Sequence, residues 1–281
     1  RITASELMGM TFEEPKWAVP GILPEGLNIL GGKPKKGKSF FALNTCLAIA
    51  SGKSLLGKIQ VEQGAVIYFA LEDPLRRIQE RLDGMLQGED APEQLIICNA
   101  LAGDENTKLK QLEEEIKNTP NLRLVVIDTL AKFSPLKNTN PSSNYEEDYQ
   151  RIAKIKSIAD KYSISILLIH HLRKQESENV LDTFLGSQGL TGAADGLLAM
   201  VEGKGQSDCD LIITGRDIEE TTFSLKFDPD TLHWTMLGNA SEIRSTPKKQ
   251  KIVEVLKVSS EPLTPKIMAE KTGLREQYIK N

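Results

Sequence analysis

Residues Gly32-Lys33-Pro34-Lys35-Lys36-Gly37-Lys38-Ser39 fit the spacing G-x-x-x-x-G-K-[ST], and no other stretch of the chain limits the possible folds so sharply. A loop of this kind wraps phosphates with backbone N–H groups, and its working context is a buried strand before it and a helix N-terminus after it. Both neighbours are legible. Gly26-Leu27-Asn28-Ile29-Leu30 reads as a short buried strand, and Phe40 to Ala50 reads as a helix. The glycines let the backbone turn and approach phosphate closely, Lys38 extends toward the β- and γ-phosphates, and the Ser39 hydroxyl is the hard oxygen donor that Mg²⁺ prefers. The cradle expected for ATP comprises Gly32, Lys33, Pro34, Lys35, Lys36, Gly37, Lys38, Ser39 and the adjoining Phe40.

Beyond the loop, strand and helix patterns alternate: Ala65 to Ala70, a helix from Pro74 to Met85, Leu95 to Cys98, a helix from Thr107 to Asn118, and Leu124 to Ile127. That is the rhythm of βαβ units. Asn144 to Tyr162 carries Tyr145, Tyr149, Ile152, Ile155, Ile158 and Tyr162 at helical spacing and leads into a strand from Ile164 to Ile169. Runs such as Val66-Ile67-Tyr68-Phe69 and Ile166-Leu167-Leu168-Ile169 lack polar alternation, as expected of parallel strands covered on both faces. From Gly196 the helices disappear, and Leu197 to Val201, Asp210 to Thr214, Thr222 to Phe227 and His233 to Met236 read as antiparallel hairpins.

Three strands end in groups with chemistry. Leu124-Val125-Val126-Ile127 runs into Asp128, placed to hold a water on Mg²⁺. The strand from Val66 to Leu71 ends in Glu72 and Asp73; strand carboxyl ends converge on the ligand crevice of such sheets, which makes Glu72 the expected base for an attacking water. Acids also favour helix N-termini, so Asp73 is expected to cap the helix after Pro74. A third strand ends in His170-His171, whose side chains point to opposite faces, leaving one of them to sense the γ-phosphate.

Pro20-Gly21-Ile22-Leu23-Pro24-Glu25-Gly26, Tyr68 to Asp73, Val125-Val126-Ile127-Asp128-Thr129-Leu130, His170-His171-Leu172-Arg173-Lys174, Gly186-Ser187 through Ala194-Asp195, and Gly215-Arg216-Asp217 together resemble the RecA-like hexameric helicase ATPases. The pattern is nearest the plasmid replication helicases of the RepA type, more loosely the DnaB core, and runs from about Trp17 to Met236. The resemblance implies that Glu72 activates water, that Asp128 and Ser39 support Mg²⁺, and that His171 is the sensor. It also implies that Arg216 is an arginine finger for a neighbouring subunit; without the resemblance, Arg216 reads as an edge arginine paired with Asp217 or Glu219. DnaB-type cores often carry a second basic residue two positions before the finger, where this chain has Thr214. In the family the loops after the Asp128 and His171 strands line a pore and touch single-stranded DNA; here they offer Lys132 and Lys137, and Arg173 and Lys174, among several acids.

The expectation is therefore an α/β, RecA-like P-loop NTPase with a mostly parallel central sheet, antiparallel C-terminal hairpins and a partial winged helix-turn-helix-like tail. Its divisions are a lead-in over 1–18, the ATPase core over 19–240, a linker over 241–247 and the tail over 248–281. Residues 246–281 hold eight basic against four acidic side chains, while the whole chain carries −4, so the tail is the likeliest phosphate-seeking region; a plain helical hairpin is its alternative. Expected partners are single-stranded DNA and further copies of the chain in a hexamer. The rival is a nucleotide-gated DNA-binding or loading ATPase. No membrane-length apolar run occurs, which suggests a cytoplasmic protein, and Cys46, Cys98 and Cys209 show neither disulfide nor zinc spacing. Arg1 in place of Met suggests a piece of a longer protein.

Overall fold

Every strand of the phosphate-loop region alternates its side chains between two separate cores, which is why the sequence shows unbroken apolar runs there. Val66, Tyr68 and Ala70 join the core under the first long helix, while Ile67 and Phe69 join the opposite one; Leu124 and Val126 part from Val125 and Ile127 in the same way. The computed structural model describes residues 2–12, 14–135, 144–171, 192–243 and 262–276, with isolated positions from 252 to 279 besides.

The chain opens with a short helix α1 (Ala4–Met8) and a small hairpin, β1 (Trp17–Val19) and β2 (Leu23–Pro24). Then follow β3 (Gly26–Gly32), α2 (Lys38–Ser51), β4 (Ala65–Ala70), α3 (Leu75–Leu86), β5 (Leu95–Cys98), α4 (Glu105–Asn118), β6 (Leu122–Asp128), α5 (Leu130–Phe133), α6 (Asn144–Tyr162) and β7 (Ser165–His171). The last described strands of the core are β8 (Gly196–Glu202), β9 (Cys209–Gly215), β10 (Thr221–Asp228) and β11 (His233–Asn239). They form one nine-stranded sheet in the order β11-β10-β9-β8-β3-β7-β6-β4-β5. The six strands from β8 to β5 are mutually parallel, and β8 to β11 form an antiparallel meander.

Helices α2 and α3 cover one face, with Phe41, Leu43, Leu47, Ile78 and Met85 buried on it. On the other face lie α4, through Leu112 and Ile116, and α6, through Ile152, Ile155 and Ile158. Burying one such aliphatic side chain contributes about 1.5–3 kcal/mol, so the sheet is clamped from both sides by hydrophobic contact. The expected α6 stripe is shorter than read: Tyr149 is exposed and Tyr162 only half-buried. Cys46 and Cys209 are buried, and burial pushes the Cys46 thiol up and the Cys209 thiol up to about 12. A turn of helix, Ala240–Ile243, occupies the start of the expected linker, whose remainder lies outside the described residues. In the tail, a helix Pro265–Thr272 is capped by the Thr264 side chain and closed by Gly273; most of the helix expected over 247–258 falls outside the described residues.

Candidate nucleotide site

Adjacent strands β3, β7, β6 and β4 bring their carboxyl ends to one edge, with Gly32 of β3 level with His171 of β7, and Asp128 of β6 level with Ala70 of β4. The loop then rises into α2, whose N-cap is Gly37 in the left-handed region at φ 82°. A β-carbon at Gly37 would come within 2.6 Å of Trp234 Cζ2, so glycine is needed for conformation and for space.

Lys38 begins α2 with its side chain buried, and its ammonium donates to the carbonyls of Gly32 and Lys33 at 2.9 Å each. Burial draws its pKa below the usual lysine range, opposed by the nearby carboxylates of Asp128 and Glu72. Asp128 is also buried, 4% exposed. Its Oδ2 accepts the Tyr68 hydroxyl at 2.6 Å, and it is hydrogen-bonded to the Ser39 side chain. Burial raises the Asp128 carboxyl, these two donors hold it down, and the carboxylates of Glu72 and Asp73 raise it further. Burial in turn drives the Tyr68 phenol well above its ordinary range, so it remains a donor. Glu72 Oε2 lies 3.3 Å from His171 Nε2. Thus Lys38, Ser39, Asp128, Glu72 and His171, drawn from four elements, meet at one edge of the sheet.

Oxygen donors from Ser39 and Asp128 suit a hard cation such as Mg²⁺. Two buried polar atoms at the same edge, Thr129 Oγ1 and His171 Nδ1, have no hydrogen-bond partner among the described residues, and a polar ligand would relieve that cost. The cradle and its donors therefore fit a magnesium nucleotide.

Some expectations change. Asp73 does not cap α3: the N-cap is Pro74 with no side-chain hydrogen bond, and Asp73 pairs with Arg77 and with Arg81 (2.6 Å). Helical spacing of arginines won over the backbone donors. Arg216 pairs with neither Asp217 nor Glu219 but with Asp195, at 3.5 Å, and donates to the Gly192 carbonyl at 3.2 Å. It stands apart from Lys38. Lys132 is exposed on α5, while Lys137, Arg173 and Lys174 lie outside the described residues.

Two residues of the site escaped the sequence reading. Tyr68 shares a strand face with Ala70 and Glu72, and a buried tyrosine needs a partner for its hydroxyl, a signal that was present. Trp234, from β11, underlies the loop: its indole N–H donates to the Gly37 carbonyl at 3.3 Å, and its backbone N–H to Asn44 Oδ1 at 2.8 Å. Phe227 stacks between Trp234 and Phe40, and the Arg81 guanidinium lies over Phe40.

A phosphate loop on a RecA-like sheet with paired acids at the adjoining strand ends defines a P-loop ATPase-class domain. The profile of the AAA domain family matches residues 2–177, and the chain belongs to that family. Solved structures share the fold at low identity. An isolated ATPase domain is 18% identical with TM-score 0.59, over 76% of this chain and 85% of that one. A DnaB-like replicative helicase, solved for its interactions with primase, is 17% identical with TM-score 0.59, over 75% of this chain and 57% of that one. A KaiC-like protein from Pyrococcus horikoshii OT3 is 13% identical with TM-score 0.54, over 79% of this chain and 99% of that one. Among the described residues no helix is long and apolar enough to cross a membrane.

Proposed function

We propose that this chain is a Mg²⁺-dependent ATPase of the RecA-like helicase class, of the RepA type, that works as a hexameric ring and couples hydrolysis to movement along single-stranded DNA in replication. The observation that carries this reading is the convergence of Lys38, Asp128, Glu72 and His171 on one sheet edge. On nucleotide binding, Lys38 trades the carbonyls of Gly32 and Lys33 for phosphate oxygens. Ser39 and Asp128 would hold Mg²⁺, which supplies positive charge to the phosphates when bound. Glu72 takes the proton of the attacking water. His171, in contact with Glu72, registers the γ-phosphate and passes its presence to the segment that follows, where Arg173 and Lys174 meet DNA together with Lys132 and Lys137 on the preceding loop.

Arg216 supports the ring. Gly215 pairs with Gly196, which pairs with Asn28, and the Asp195 N–H donates to the Leu27 carbonyl, so Arg216 leaves the sheet near the level of Leu27. At ~3.3 Å rise per residue that is roughly 16 Å below Gly32 and two strands aside. Its side chain cannot span that gap to its own Lys38, and a neighbour's nucleotide is its natural target.

The test is ATPase rate across protein concentration, with and without single-stranded DNA, beside a strand-displacement assay. A motor gives a per-subunit rate that climbs with concentration, stimulation by DNA, and unwinding. DNA binding with slow, unstimulated hydrolysis and no unwinding in either direction replaces this reading with the gated loader.

A further inference from the structure

Resting on the reading of Arg216 as a trans-acting finger, we propose that Asp195 is its positioning residue, locked in turn by Lys156, and that this joint sets the efficiency with which one subunit completes its neighbour's site.

The joint is built from both backbone and side chain. Asp195 immediately precedes β8; its backbone N–H donates to the Leu27 carbonyl at 2.7 Å, and its own carbonyl accepts the Arg216 N–H at 2.9 Å. Its carboxylate accepts the Leu27 N–H at 2.9 Å and both of its oxygens meet the Lys156 ammonium, at 2.8 and 2.6 Å. The Arg216 guanidinium lies 3.5 Å from Oδ1. One side chain thus ties β3, α6, β8 and the turn after β9. The approach is so close that only glycine is tolerated opposite it: a β-carbon on Gly26 would fall 2.4 Å from Asp195 Oδ2, and one on Gly215 would fall 2.3 Å from its carbonyl oxygen.

The charges are arranged for holding, not burying, the guanidinium. Lys156 sits across the carboxylate and also pairs with Asp160 at 3.0 Å; burial lowers its pKa, but hydrogen bonds from Asp195 and Asp160 outweigh that and raise it. It therefore stays an ammonium and keeps Asp195 an acceptor. Arg216 is 58% exposed, and its contacts with Asp195 and Gly192 leave further N–H groups of the five-donor fork directed outward. A guanidinium tethered at its base and open at its rim is pre-organised: entropy lost in fixing a long side chain has been paid before the neighbour's phosphate arrives.

Trans-complementation tests this. Lys38→Ala subunits have a disabled loop but an intact finger; Arg216→Ala subunits have the reverse. Mixed, they should recover ATPase activity at sites that pair the loop of the second with the finger of the first. Adding Asp195→Asn or Lys156→Met to the Lys38→Ala donor should cut that recovery by roughly ten- to a hundredfold, with the smaller loss for Lys156→Met. Nucleotide affinity of the Arg216→Ala acceptor is unchanged throughout, so a general structural defect in the donor is separable from a misplaced finger. Thermal melting checks the donors, and Lys156→Met, which leaves the Leu27 contact intact, decides the question if Asp195→Asn does not fold. Recovery that is undiminished with the doubly altered donors overturns the positioning role while keeping the finger. No recovery with the simple Lys38→Ala donor overturns the finger itself.

Discussion

The two ends of the central sheet handle charge in opposite ways. At the carboxyl end, Lys38 and Asp128 are both buried, burial pushes each toward its neutral form, and polar atoms on Thr129 and His171 go unmatched among the described residues. At the opposite end, Asp195 meets Lys156, Arg216 and a backbone N–H, and Lys156 is held more firmly charged than in water. Both ends use an aspartate beside a lysine. The first is left under-compensated, as a site awaiting a polyanion and cation must be; the second is complete without a ligand, as a rigid mount must be. The difference teaches that the functional edge carries a cost in stability that the rest of the sheet supports.

The largest expected effect lies at the under-compensated end. Glu72→Gln removes the proton acceptor but keeps shape and nearly all contacts, so turnover should fall by about 10²- to 10⁴-fold while nucleotide binding persists. Near-normal turnover in that variant would place the base elsewhere. Next comes one substitution made at both ends. The folded state raises Asp128's pKa, so the stability tied to its neutral form is full at low pH and is lost as pH rises through that raised value. At neutral pH its charge is a burden. Asp128→Asn should therefore raise the melting temperature of the nucleotide-free protein by a few degrees, with the gain shrinking as pH falls toward the ordinary carboxylate range. Asp195→Asn strips the partner from two cations and should lower it by about 5 °C or more. Melts of both variants that shift in the same direction at neutral pH would break the comparison.

What was legible in the sequence was whatever local pattern writes. The phosphate loop, the alternation of strands and helices and the change to hairpins at Gly196 are all short-range signals, and the sheet follows from them with boundaries moved by one to a few residues. Glu72, Asp128 and His171 were visible because each ends an apolar run. The contacts that were not legible join residues distant in the chain. Tyr68 meets Asp128 across two neighbouring strands, Trp234 reaches Gly37 from the final strand of the core, and Asp195 holds Leu27 and Lys156 together. Nothing in the spacing of those residues announces a partner; only the strand order does. Asp73 shows the complementary failure, where two local rules competed and the arginines four and eight positions on prevailed over capping.

The smallest effect concerns how the antiparallel half supports the loop. Trp234 presses its ring under Gly37, donates to that residue's carbonyl, and is itself fixed by Asn44, which also donates to the Leu232 carbonyl at 3.2 Å. Trp234→Phe keeps an aromatic ring against Phe227 but removes the indole N–H and the outer ring beneath the loop. A neutral hydrogen bond is worth about 0.5–1.5 kcal/mol, and the space left under Gly37 adds to that loss. The expected outcome is nucleotide affinity weakened about three- to tenfold with the catalytic rate at saturation nearly unchanged, since Glu72 and Asp128 sit on strands that Trp234 does not touch. An equal fall in the saturated rate would mean that β11 governs the acids as well as the cradle, and the division between a binding loop braced by the hairpins and a catalytic pair braced by the parallel strands would have to be abandoned.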